Sequence, residues 1–80
     1  MSALTLYTTS WCPFCNRLKA GLERNGVEWT EIDIEADPSA AEFVGSVNNG
    51  NHVVPTALYE DGSTATNPSV GEVMSKLGLL

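Results

Sequence analysis

The chain has only two cysteines, Cys12 and Cys15, with two residues between them, where an apolar run, Leu4-Thr5-Leu6-Tyr7, gives way to a helical pattern that begins at Pro13. This junction constrains the fold more than any other feature. A strand must deliver the first cysteine to a helix start, and the helix must carry the second one turn further in. Thiol–disulfide exchange runs through the thiolate, so an attacking sulfur has to be ionised near neutral pH and reachable by a disulfide. An ordinary thiol, with a pKa of ~8.5, is mostly protonated there, whereas a thiol at a helix N-terminus can fall to ~3.5–7.5. Pro13 suits the first helical position, because its missing N–H orphans nothing and its φ matches the helix. The amides of Phe14 and Cys15 would then face the Cys12 sulfur at the positive end of the helix dipole. Cys12 is thus the expected nucleophile and Cys15 the more buried resolving thiol.

Two other uses of a cysteine pair fit less well. A structural disulfide closing so short a loop gains little entropic stabilisation. A zinc site needs four ligands, and the chain has no second cysteine pair and one histidine, His52. No metal ligands are assigned within one chain; a centre shared between two chains stays open.

Eighty residues set the size of one domain, 1–80, with a small core. The net charge of −6, with four basic residues, argues against nucleic acid or an anionic membrane as partner. Met1-Ser2-Ala3 lacks a basic leader region and no long apolar run follows, so neither a signal peptide nor a membrane span is expected. A cytoplasmic, reducing setting follows, where paired cysteines are more often catalytic than structural. The chain is expected to act as a monomer.

Leu4 to Thr8 reads as a buried strand. Thr9 and Ser10 begin the loop to the cysteines, and Trp11 suits either the core or a flank shaping access to Cys12. From Pro13 to Asn25, Phe14, Leu18 and Leu22 recur as an apolar stripe, closed by Asn25-Gly26. Trp29 to Glu35 alternates Ile32 and Ile34 with acids, as a strand with one solvated face. Asp37-Pro38 caps a second helix with the stripe Ala40, Phe43, Val44 and Val47. Pro55 precedes the apolar run Ala57-Leu58-Tyr59, at a strand start where its missing N–H does least harm. Asp61-Gly62 turns into a returning strand over 63–66. Asn67-Pro68 repeats the capping pattern before the stripe Val70, Val73, Met74 and Leu77. The order is β-α-β-α-β-β-α. Right-handed connection makes the first two strands parallel, and the last two form a hairpin. The fold class is α/β, a four-stranded mixed sheet flanked by three helices.

Thr8-Thr9-Ser10-Trp11-Cys12-Pro13-Phe14-Cys15, Val54-Pro55-Thr56 and the final helix together resemble the glutaredoxin family over essentially the whole chain. The runs 41–48 and 61–64, with Gly50-Asn51 and Thr66-Asn67-Pro68-Ser69, are similar to its mycoredoxin branch. The resemblance implies the thioredoxin fold, a cis peptide bond before Pro55, and reduction of mixed disulfides between proteins and mycothiol, a sugar-bearing thiol. Cys12 would attack the mycothiol sulfur and release the protein thiol. A second mycothiol would regenerate the enzyme, fed by mycothione reductase and NADPH, with no bound cofactor. Cys15 would be dispensable on that route. Trp11, Pro13, Phe14, Val54, Pro55, Thr66 and Asn67 are the expected substrate neighbours.

Glutathione-using members commonly carry a lysine shortly before the cysteines and Gly-Gly-x-Asp before the last helix. Thr8 and Thr9, and Ala65-Thr66-Asn67, stand in those places, which suits recognition through hydroxyls. Mycoredoxins commonly have arginine where His52 stands, a position read here as a solvated turn. Two further functions compete: a dithiol electron donor to ribonucleotide reductase, and a dimer holding an iron–sulfur cluster. Pro13 disfavours the cluster, since cluster-bearing members usually have glycine after the first cysteine.

Overall fold

The computed structural model describes residues 3–80. Met1 and Ser2, part of the segment expected to lack a leader, lie outside them. The elements are β1 (Leu4–Thr8), α1 (Pro13–Arg24), β2 (Thr30–Asp33), α2 (Pro38–Val47), β3 (Thr56–Tyr59), β4 (Thr64–Thr66) and α3 (Val70–Lys76). They form one mixed sheet in the order β2-β1-β3-β4. β1 runs parallel to β2, from Thr5 opposite Thr30 to Thr8 opposite Asp33. It runs antiparallel to β3, and β3 and β4 form the expected hairpin. This is the thioredoxin-type arrangement. Among the described residues no helix is long and apolar enough to cross a membrane.

The alternation of side chains along β1 divides the interior in two. Leu4 and Leu6 point to one face, joining Leu18 and Leu22 of α1 and Val73 of α3. Tyr7 points to the other, joining Ile34 and Ala40 and Val44 of α2. Each leucine, isoleucine or valine among them stabilises the fold by ~1.5–3 kcal/mol. The sheet is therefore clamped between α1 and α3 on one side and α2 on the other, and the C-terminal end of β1 emerges where Cys12 begins α1.

Four expectations need correction. The buried stripe of α1 is Cys15, Leu18 and Leu22, joined by Gly21, whereas Phe14 is exposed. Residues 15, 18 and 22 share the face turned to the sheet, and Phe14 stands one residue round the helix from it. Val47 likewise leaves the α2 stripe for solvent. β2 is shorter than the run 29–35, because its partner β1 ends at Thr8, whose carbonyl accepts the Ile34 amide just past the last pair. The last helix is capped by Ser69 and not by Asn67. Asn67 takes a left-handed φ of 48°, while Ser69 and Glu72 bond each other's backbone amides in a reciprocal capping box.

Gly21 was not singled out from sequence. A methyl group at this position would collide with the Val70 side chain, so its bareness is what lets α1 and α3 meet. Gly71 within α3 has room around it, the nearest atom to an added Cβ being Ser69 Oγ at 3.9 Å.

Candidate active site

Cys12 is the N-cap of α1, with φ −82° and ψ 111°. Its carbonyl accepts the Asn16 amide at 3.1 Å, starting the helix, and its own amide donates to Thr9 O at 3.4 Å. Where a serine or threonine oxygen would normally cap, the sulfur does so: the Cys15 amide donates to Cys12 Sγ at 3.0 Å. The thiol in turn donates to the Val54 carbonyl at 3.8 Å. Both cysteines are free thiols. Among the described residues no group of three or more histidine, cysteine or acidic side chains is gathered as a metal cage.

The cysteines differ less in exposure than expected. Cys12 is 2% exposed and Cys15 fully buried. Capping turns the Cys12 sulfur inward, between the Cys15 amide and the Val54 carbonyl. The difference lies in charge. Burial pushes the Cys15 thiol up to about 12, aided by its hydrogen bond to Cys12 and the charge there; a Thr9 backbone bond and the Lys19 ammonium pull the other way without offsetting this. Cys12 meets an amide donor, and Cys15 holds its proton.

Trp11 is a flank and not core: it is 67% exposed, its indole N–H donating to Glu35 Oε2 at 3.1 Å. Phe14 is 53% exposed, with the Arg17 guanidinium 5.8 Å from its ring centroid. Pro13 is exposed at the first helical position. The Val54-Pro55 bond is cis, as the resemblance implied. Pro55 is fully buried, and its carbonyl accepts the Asn67 amide at 2.8 Å. That bond occupies the Asn67 amide, while the Ser69 and Glu72 amides are taken by the capping box at the true helix start. The Thr66 hydroxyl donates to Asn48 Oδ1 at 2.5 Å. Asn48 Nδ2 meanwhile donates to Val44 O and to Thr56 Oγ1, clasping α2 to the proline segment. His52 is exposed, as expected, with its ring against Gly45 of α2.

Sequence reading missed two groups. One is a knot behind the dithiol: Glu31 accepts from Lys19 Nζ at 2.8 Å, Thr8 Oγ1 at 2.9 Å and Trp29 Nε1 at 3.4 Å. Burial alone would raise the Glu31 carboxyl, but these bonds outweigh it and hold it below its usual value. Nothing in the sequence pairs 8, 19 and 31; the parallel register of β1 and β2 does. The other is Arg17, part of a groove between α1 and the start of α3 that Phe14 and Asn67 also line. The i, i+3 spacing of Phe14 and Arg17 was a usable signal.

A capped cysteine, a buried partner thiol and a cis-proline on this sheet define a thioredoxin-like protein with a dithiol built for exchange. A glutaredoxin family model matches residues 4–61. Over 76 residues, 95% of this chain and 90% of the relative, the sequence is 59% identical to a Mycobacterium tuberculosis protein assigned to the glutaredoxins. It is 49% identical to Mycoredoxin 1 of Corynebacterium glutamicum over 100% of this chain and 99% of that one. The crystal structure of a glutaredoxin from Archaeoglobus fulgidus superposes with a TM-score of 0.76 at 26% identity, covering 96% of this chain and 87% of that chain. The chain belongs to the glutaredoxin family, and its activity is that of a thiol–disulfide oxidoreductase.

Proposed function

We propose that the chain reduces mixed disulfides between proteins and mycothiol through Cys12, acting as a monomeric single domain in the reducing cytoplasm. Cys12 thiolate attacks the mycothiol sulfur; the bond to the protein sulfur breaks, and that sulfur leaves as a thiolate and takes a proton. A second mycothiol thiolate then attacks the Cys12–mycothiol disulfide, freeing Cys12 and releasing the mycothiol disulfide. Mycothione reductase returns that disulfide to two thiols with electrons from NADPH.

The observation that carries this reading is the asymmetry of the dithiol. Cys12 has an amide donor at 3.0 Å, while the Cys15 thiol is pushed up to about 12. A second thiol that keeps its proton resolves a mixed disulfide slowly, which leaves time for an external thiol to do so. The identity with Mycoredoxin 1 along the whole chain supports mycothiol as that thiol. Trp11, Pro13 and Phe14 flank the sulfur as neighbours of the bound disulfide; Val54 and Pro55 supply backbone beside it, and Asn67 lines the groove that Phe14 shares. Thr66 is kept as an outer neighbour.

A coupled assay with mycothiol, mycothione reductase and NADPH tests the reading. Cys15→Ser should keep turning over and Cys12→Ser should be inactive. Turnover only with thioredoxin reductase, and its loss without Cys15, would instead make the chain a dithiol electron donor of the kind that serves ribonucleotide reductase. A visible absorbance band in the purified protein would point to an iron–sulfur dimer.

A further inference from the structure

Among the described residues the buried polar side chains are those of Thr8, Thr9 and Thr56. Thr8 Oγ1 donates to Glu31 Oε2 at 2.9 Å and Thr56 Oγ1 to the Val53 carbonyl at 2.8 Å. Thr9 Oγ1 has no hydrogen-bond partner, although Thr9 is 3% exposed. A valine would fill the same space without burying a hydroxyl that bonds to nothing. A donor kept at that cost calls for an acceptor at some stage of the protein's work.

Thr9 sits against both cysteines. Its carbonyl accepts the Cys12 amide at 3.4 Å, and its backbone also bonds the Cys15 sulfur. At rest Cys15 is a buried, free thiol, and a neutral sulfur is a weak acceptor. One step of exchange changes this. When an external sulfur is joined to Cys12, Cys15 closes the pair only as a thiolate. Charge then appears on a buried sulfur, and a charged acceptor makes a much stronger hydrogen bond. The Lys19 ammonium, which also favours charge on Cys15, is committed to Glu31 at 2.8 Å.

We propose that the Thr9 hydroxyl is a donor held in reserve for Cys15, turning about its Cα–Cβ bond to stabilise the Cys15 thiolate while that sulfur resolves a mixed disulfide on Cys12. In this step Cys15 gives its proton to solvent and its sulfur bonds to the Cys12 sulfur. The bond between Cys12 and the external sulfur breaks, and the departing thiolate takes up a proton. Once the pair is closed the charge is gone and the hydroxyl is released. The inference concerns the second sulfur and holds whichever thiol is brought to Cys12.

The test mixes reduced protein with one equivalent of dipyridyl disulfide, without any other thiol, in a stopped-flow instrument. Attack by Cys12 releases one coloured thione and closure by Cys15 releases the second, so the two steps are read as separate phases. For Thr9→Val the second phase should slow about tenfold, as loss of a hydrogen bond to a charged group implies, while the first keeps its rate. Thr9→Ser, which retains the hydroxyl, should restore the second phase. The urea midpoint of reduced Thr9→Val protein should be no lower than that of the wild type. A second phase untouched by Thr9→Val, equal slowing of both phases, or equal slowing by valine and serine would overturn the proposal. So would a reduced Thr9→Val protein that unfolds at lower urea, since the hydroxyl would then have a partner at rest.

Discussion

The backbone amide of Cys15 donates to the sulfur of Cys12 at 3.0 Å while the Cys15 thiol is itself wholly buried. One residue thus stabilises negative charge on its partner and resists it on its own side chain. Helix-start geometry produces both effects: the N-cap position exposes amides to the first sulfur, and one turn further in the second sulfur faces the sheet. The pair is a dithiol in composition and close to a monothiol in electrostatics.

Alkylation reads this asymmetry. Iodoacetamide near neutral pH should add one label, mapping to Cys12 on the folded protein, and a second only as the pH approaches about 12 or the fold is lost. The sign follows from linkage. A thiol whose folded value is raised gives stability below its unfolded value of ~8.5, and that stability is lost as pH rises through the folded value. Mass spectrometry of the label count against pH checks this; two labels at neutral pH would count against it.

Glu31 ties α1 to the sheet edge through Lys19 and Thr8. Replacing it with glutamine should cost about 0.5–1 kcal/mol at neutral pH, since the pair is partly exposed. Because the Glu31 carboxyl is held below its usual value, its contribution is present above the unfolded value of ~4.3 and disappears as pH falls through the folded one. Urea denaturation of both proteins should show separate midpoints at neutral pH that converge in acid.

Two glycines in helices should answer alanine in opposite ways. Gly21→Ala drives a methyl group into Val70, and the collision should outweigh the gain in helix propensity, for a net loss of about 1–3 kcal/mol. Gly71→Ala meets nothing closer than 3.9 Å and should stabilise α3 by up to ~1 kcal/mol. Thermal unfolding of the two variants gives the comparison directly.

Trp11 stands exposed beside Cys12 and is tied to Glu35. In a Trp29→Phe background its fluorescence should change when Cys12 enters a mixed disulfide. It should stay constant when Cys12→Ser protein meets the same reagent. A silent indole in the first case would remove Trp11 from the substrate's surroundings.

The order of elements and the capped position of Cys12 were legible because each rests on local pattern: strand, loop, proline at the first helical position. The start of α3 was misplaced because two capping signals overlap, Asn67-Pro68 and Ser69 with Glu72, and the reciprocal bonds of the second decide between them. The burial of Cys12, the Glu31 knot and the Gly21 contact were not legible. Each depends on how elements far apart in sequence are brought together, as when Thr8 of β1 and Lys19 of α1 converge on Glu31 of β2. Arg17 lay within reach of a spacing argument that looked past the apolar stripe.

The intact mass of Cys15→Ser protein after exposure to oxidised mycothiol tests the division of labour between the two sulfurs most directly. The expected result is one mycothiol added, removed again by excess reduced mycothiol, while Cys12→Ser protein treated alike keeps its own mass. Cys15→Ser protein that stays unmodified, or Cys12→Ser protein that takes the adduct on Cys15, would contradict it.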